Sequence, residues 1–262
     1  MALIMENCGL GAPEQKLYRL VLQSEMARTA QPGQFLHIRV AEAPAPLLRR
    51  PLSIAAIDAA GGQITVYYRQ KGLGTELLAR KRPGETLDAL GPLGRGFTIP
   101  ATGALLLVAG GIGVFPLLTL GEAALRRGLA CTLLWGGENS AFFAAAAPIA
   151  AAIPCRLATV DGSLGTKGTV MALLSPYLAP AAENEAGLRL AACGPYPMLR
   201  ALVGPVQARR LPLEVSLEAT MACGLGACLG CTVSGRNGAG ARVMRRVCAD
   251  GPVFPAEEVD WA

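Results

Sequence analysis

Along residues 1 to about 100, apolar and polar positions alternate in short runs that glycine or proline interrupts every few positions. Residues 17–22 (LYRLVL), 34–40 (QFLHIRV) and 63–68 (QITVYY) carry β-branched and aromatic side chains, and Pro32-Gly33 and Gly61-Gly62 mark turns. A period near two bounded by turn residues predicts strands, and several at regular spacing predict a small antiparallel barrel.

From about residue 101 the pattern changes. The runs 105–109 (LLLVA), 131–135 (CTLLW), 156–160 (RLATV) and 188–193 (LRLAAC) are apolar strands with helical stretches between them. Strands alternating with helices predict a parallel sheet covered on both faces. After Leu213 the glycine and cysteine content rises. The chain thus divides as an α+β multidomain protein, with an antiparallel barrel over 1–100, an α/β parallel-sheet nucleotide domain over 101–212, and a small cysteine-bearing segment over 213–262.

Residues 103–121 (GALLLVAGGIGVFPLLTLG) are uncharged and long enough to pose as a membrane span. Gly110-Gly111, Gly113 and Pro116 interrupt them, so they read as strand, glycine turn and helix. Residues 141–153 are shorter, rich in alanine and broken by Pro148. The start at Met1 has no basic region followed by an apolar core, so the chain is expected to be soluble and cytoplasmic.

Composition narrows the function classes. With 262 residues, 52% hydrophobic and only 16% charged, the chain has enough apolar material for a large core. The net charge of +5 is spread out, and aromatics make up 5%. Arg242, Arg245 and Arg246 are the nearest approach to a basic cluster, interleaved with Val243 and Val247. Nucleic-acid binding calls for a denser basic stripe with stacking aromatics, so that class is excluded. His37, the single histidine, has no acidic or thiol neighbour along its strand and reads as a packed or surface residue.

The most informative chemistry lies near the C-terminus, where Cys223, Cys228 and Cys231 stand in a C-x4-C-x2-C run with Cys248 further on. This is the plant-type ligand spacing of a [2Fe–2S] cluster. Gly224, Gly226 and Gly230 suit a loop that wraps a cluster and turns its amides toward sulfur. A structural zinc site is the competing reading. It ordinarily pairs its ligands as two C-x2-C knuckles, and only Cys228 and Cys231 have that spacing. Cys8, Cys131, Cys155 and Cys193 sit among apolar neighbours, mostly as core residues.

Four other segments carry candidate binding groups. In Arg50-Pro51-Leu52-Ser53 a guanidinium and a hydroxyl on one stiffened strand can grip a phosphate and a ring edge. Tyr67-Tyr68-Arg69, followed by Gly74 and Thr75 ahead of an apolar helix, supplies an aromatic wall and free backbone amides. Gly110-Gly111-Ile112-Gly113-Val114-Phe115-Pro116 follows a buried strand, as a dinucleotide loop does, but Pro116 replaces the third glycine of the standard fingerprint. Cys193-Gly194-Pro195 ends another strand. In an open α/β sheet such carboxyl ends line the ligand crevice.

The order R-P-L-S, Y-R with G-T, G-G-I-G-x-x-P, C-G-P and a cysteine-bearing tail resembles the ferredoxin–NADP reductase superfamily. The tail 218–224 (EATMACG) and the ending 247–254 (VCADGPVF) are similar to one branch, the electron-transfer (iron–sulfur) subunits of dihydroorotate dehydrogenase B. That resemblance implies FAD contacts at Arg50, Pro51, Leu52, Ser53, Tyr67, Tyr68, Arg69, Gly74 and Thr75. It implies cluster ligands at Cys223, Cys228, Cys231 and Cys248, and NAD(H) as co-substrate on the α/β domain, where the strand-end residues Gly111, Gly113, Cys193, Gly194 and Pro195 are the candidate contacts. It further implies a relay from NADH through FAD and the cluster to an FMN-bearing catalytic subunit that interconverts dihydroorotate and orotate. The assembly implied is a heterotetramer in which no residue here acts as an acid or base on orotate. The partner is expected on the face around Cys228 and Cys231, near Arg245 and Arg246. The alternative is the small subunit of another NAD(P)-linked ferredoxin or sulfide oxidoreductase.

Overall fold

A computed structural model of the chain describes residues 1–42, 45–178 and 187–261. Strands β1 (Ala2–Leu10), β2 (Leu17–Gln23), β3 (Phe35–Arg39), β4 (Arg50–Asp58), β5 (Gln63–Arg69) and β6 (Thr86–Leu93) close into a barrel in the order β1-β2-β5-β4-β3-β6. Every pairing in it is antiparallel. Alternation places Leu20, Leu22, Leu36, Ile38, Ile54, Ile64, Val66 and Tyr68 in one interior cluster. The residues between them, including Phe35, His37, Tyr67 and Arg69, face outward. A short helix, α1 (Leu73–Ala79), follows β5. β1 and β6 escape the sequence reading because Glu6-Asn7 and Gly91-Pro92 interrupt their apolar pattern.

The second unit contains β7 (Ala104–Gly110), α2 (Phe115–Arg126), β8 (Ala130–Gly137), α3 (Ser140–Ala146), β9 (Cys155–Thr159), β10 (Thr166–Lys167), α4 (Val170–Leu178), β11 (Arg189–Cys193), α5 (Tyr196–Ala208) and β12 (Leu213–Ser216). Beyond these come β13 (Thr232–Arg236), β14 (Arg242–Arg246) and β15 (Val253–Pro255). The sheet order is β10-β9-β8-β7-β11-β12-β15, parallel except for the last pair. β7 is apolar throughout because both its faces are covered. Leu106 and Val108 pack with residues of α4 and α5, while Leu105, Leu107 and Ala109 pack with residues of α2 and α3.

The stretch after residue 213 is not a detached appendage. β12 and β15 lie inside the sheet, and only the β13–β14 hairpin stands apart. Contacts tie the barrel to the rest. Tyr67 stacks on Phe115 at 4.9 Å between centroids, and the Thr98 amide and hydroxyl each donate to the Glu214 carboxylate at 2.9 Å. No helix among the described residues is long and apolar enough to cross a membrane.

Candidate functional site

The chain runs outward from β7 through β8, β9 and β10, then returns to place β11 on the other side of β7. The gap between the carboxyl ends of β7 and β11 is therefore a topological switch point, where open α/β sheets bind ligands. Two motifs far apart in sequence meet there. A Cβ added to Gly113 would strike the Cys193 carbonyl oxygen, and one added to Gly194 would lie 3.0 Å from the Gly110 amide nitrogen. Glycine at 113 is what lets the loop close onto β11. Pro116 sits in the first turn of α2, where no backbone donor is lost.

A cleft of about 520 Å³ opens over this point, lined by Gly110–Gly113, Gly136, Gly137, Gly194 and Pro195 among others. Gly136-Gly137 ends β8, a strand end that the sequence reading passed over. A second cleft of about 720 Å³ lies between the barrel and the sheet. The two share Arg69, Lys71, Ile112 and Glu218, so they form one continuous groove.

Arg50, Pro51 and Ser53 line the barrel wall of the larger cleft, and Cys193, Glu218 and Thr220 line the opposite wall. Arg49 beside them is committed elsewhere. It grips Asp88 at 2.6 Å and holds that carboxyl below its ordinary range. Arg50 donates to the Leu48 carbonyl, and its guanidinium lies against the backbone of Gly74. Arg69 sits over the Phe142 ring at 5.4 Å, and its Nε is buried without a hydrogen-bond partner. A buried cationic donor left unmatched, with the Arg50 guanidinium on the same cleft wall, calls for an anion, and a diphosphate fits that demand.

Other predicted contacts sit differently. Leu52 packs against the barrel interior. The Thr75 hydroxyl is used within its own turn, accepting from the Lys71 amide at 2.9 Å and donating to the Gly72 carbonyl at 3.0 Å. Tyr67 is spent on Phe115. Tyr68 corrects the expectation of an aromatic wall. It is 2% exposed inside the barrel, stacks on Tyr18 at 5.2 Å, and donates to Asn7 Oδ1 at 2.9 Å. Burial raises its phenol above the ordinary value. Cys193 does reach the cleft, and burial together with the Glu218 charge pushes its thiol up to about 12, so it is protonated at neutral pH. Of the remaining cysteines outside the C-terminal run, Cys131 is buried, Cys8 half-buried and Cys155 exposed.

The loop from Met221 to Cys231 folds back on Cys248 through backbone donors aimed at sulfur. The Leu225 and Cys228 amides point at Cys223 Sγ, both at 3.4 Å. The Gly226 amide donates to Cys248 Sγ at 3.2 Å, and the Cys248 amide to Cys231 Sγ at 3.4 Å. These amides pull the Cys223 thiol down to about 6, whereas burial raises Cys248 to about 11. Backbone contacts set the four cysteines in neighbouring pairs, the Cys228 amide on the Cys223 sulfur and the Cys248 amide on the Cys231 sulfur. Among the described residues no three His, Cys, Asp or Glu side chains converge as a single-ion site would. Two neighbouring cysteine pairs with amide donors aimed at their sulfurs suit a two-iron cluster, which takes two thiolates on each iron.

Arg246 braces this loop. It holds Asp250 at 2.7 Å and donates to the Gly226 carbonyl at 3.3 Å, while Arg245 pairs with Glu258 at 3.0 Å. Neither arginine is a free charge. What the loop presents to solvent is apolar, with Leu225 and Leu229 each at least 60% exposed, and Met244 of β14, beside Leu229, is exposed to the same degree.

Residues 218–260 match the model of the iron–sulfur cluster binding domain of dihydroorotate dehydrogenase B. The whole chain is 44% identical over 251 residues to the dihydroorotate dehydrogenase B (NAD(+)), electron transfer subunit of Geobacillus kaustophilus (strain HTA426), covering 94% of this chain and 93% of the relative. The chain belongs to this family of electron transfer subunits. A counterpart from Shouchella clausii (strain KSM-K16) is 42% identical over 246 residues, covering 92% of each. Among solved structures, an NADH-dependent reduced ferredoxin–NADP oxidoreductase studied for flavin-based electron bifurcation superposes with a TM-score of 0.85 at 27% identity, over 100% of this chain and 90% of that one. A ferredoxin NADP+ reductase from Neisseria gonorrhoeae shares the fold at a TM-score of 0.61 and 17% identity, over 79% of this chain and 89% of the other. An electron transfer subunit of this family thus has a ferredoxin-reductase-like core and a cluster-binding tail.

Proposed function

We propose that the chain carries electrons between NAD(H) and a catalytic partner that converts dihydroorotate to orotate, through FAD and one [2Fe–2S] cluster. One observation carries the reading. Thr220 and Met221, just ahead of Cys223, line the same cleft as Arg50, Pro51 and Ser53. The groove therefore runs unbroken from the glycine loops at the switch point to the loop that gathers the cysteines.

In this reading Gly111, Gly113, Cys193, Gly194 and Pro195 form the nicotinamide dinucleotide seat. Arg50, Pro51, Ser53 and Arg69, with the backbone at Gly74 and Thr75, hold FAD, and Cys223, Cys228, Cys231 and Cys248 hold the cluster. Bound there, the flavin supplies conversion of an electron pair into single electrons, and the cluster carries them one at a time. The chain's own task is placement. Arg50 and Arg69 neutralise the diphosphate, Cys193 offers a neutral surface, and the amides around Cys223 and Cys248 stabilise thiolate charge.

Leu225, Leu229 and Met244 form the face on which the catalytic partner docks, since apolar exposed side chains beside a redox centre suit a tight interface. We further infer that this partner bears FMN, that the assembly is a heterotetramer, and that it works in the cytoplasm. The test is reconstitution. The lone chain should reduce dyes with NADH and fail to oxidise dihydroorotate, and the partner should restore that reaction. Dihydroorotate oxidation by the lone chain, or no gain with the partner, overturns the reading.

A further inference from the structure

The barrel's single histidine is its most unusual residue. His37 points outward from β3 and is nevertheless 0% exposed, and neither ring nitrogen has a hydrogen-bond partner. It lies directly under the cysteine loop. A Cβ added to Gly224 would strike His37 Nδ1, and the backbone of Met221 and Cys223 faces the ring. Its other neighbours are Arg49, whose guanidinium donates to the His37 carbonyl at 3.4 Å, and Phe35, edge-on at 6.5 Å. Across the β3–β4 ladder it pairs with Pro51, which lines the flavin cleft.

A buried imidazole whose nitrogens fall short of full hydrogen bonds is costly, because each has exchanged water for only the facing backbone of Arg49, Met221 and Cys223. A leucine at this position would fill the space without that cost. The polar backbone facing the ring belongs to Arg49 and to the turn that carries the first cysteine.

We propose that His37 is a positioning residue for the cluster. Its imidazole is the polar anchor of the Met221–Gly224 turn on the flavin barrel, and through that turn it sets the surroundings of the Cys223 sulfur. Gly224 serves the same arrangement twice, by its φ of +72° and by leaving room for the ring. This inference rests on the cluster reading above. It adds that the seat of the cluster is built into the barrel as well as into the cysteine loop.

The test uses the full chain with His37→Leu and His37→Gln. The leucine variant should keep its FAD and its NADH-to-dye rate. Its reduced cluster should give shifted electron paramagnetic resonance g-values and an altered midpoint potential, and should release iron to a chelator about tenfold faster, the scale seen when a partner of a metal ligand is lost. The glutamine variant, which keeps a donor and an acceptor, should move these readouts back toward wild type. Unchanged g-values, potential and iron release in His37→Leu overturn the proposal. If that variant does not accumulate folded, His37→Asn is judged by the same readouts, altered values supporting the anchor and unaltered values removing it. Wild-type protein without acid-labile sulfide would instead overturn the cluster reading itself.

Discussion

The amide of Gly226 donates to the thiol of Cys248 across 3.2 Å, joining two positions 22 residues apart. This contact closes the cysteine loop onto the turn that follows β14. It places a backbone dipole on a sulfur that burial otherwise keeps protonated.

Cys248→Ser should abolish the cluster, because one of its four thiolate ligands is replaced by a hydroxyl. Purified variant is expected to retain FAD and an NADH-to-dye rate within about twofold of wild type, while iron and labile sulfide disappear. Metal and sulfide analysis with a visible spectrum checks this, and a full two-iron complement in the variant refutes it. Cys231→Ser should behave alike and should also stop NAD-linked orotate turnover in the reconstituted complex.

Arg50→Ala should empty the flavin site far more than it unfolds the chain. One charge-assisted hydrogen bond is worth about 1.5–3 kcal/mol, so FAD affinity should fall about tenfold or more. Flavin titration of the variant alongside its melting curve separates the two effects. Unchanged FAD affinity would reassign the cleft.

Tyr68→Phe should do the reverse. The hydroxyl holds Asn7, whose amide in turn donates to the Leu78 carbonyl at 2.8 Å and the Lys81 carbonyl at 2.9 Å. Losing it should cost about 1 kcal/mol of stability and leave FAD binding intact. A loss of flavin without a loss of stability would put Tyr68 in the site after all.

Asp250 gives a pH signature. Arg246 holds its carboxyl down to about 2, against an ordinary 3.8. The charged form is therefore favoured in the folded chain, so the stabilisation is complete above about pH 4 and fades as pH falls toward about 2. Wild type should lose thermal stability across that window more steeply than Asp250→Asn, which has no proton to take up there. Parallel acid profiles for the two proteins would dismiss the Arg246 brace.

Much of the site is legible in the chain because it depends on local chemistry. Cysteine spacing defines a loop that can wrap a small cluster, since a few residues set the reach of three thiols. A glycine turn after an apolar strand marks a phosphate loop for the same reason, as backbone approach is decided within one turn. Alternation and its change near residue 101 foretell a barrel followed by a parallel sheet.

What the sequence could not decide depends on strand parity and on long-range neighbours. Tyr67 and Tyr68 are chemically alike, and only the closure of the barrel determines that Tyr68 enters the interior while Tyr67 meets Phe115. Arg245 and Arg246 read as free charge until Glu258 and Asp250 fold back against them. His37 reads as an ordinary strand residue until the cysteine loop, nearly two hundred positions on, covers it. By itself the sequence determined which chemical groups are present and how their immediate backbone is shaped. The tertiary structure decided which face each strand shows, which charges are already neutralised, and that the clefts and the cysteine loop form one path, because those depend on segments brought together only by folding.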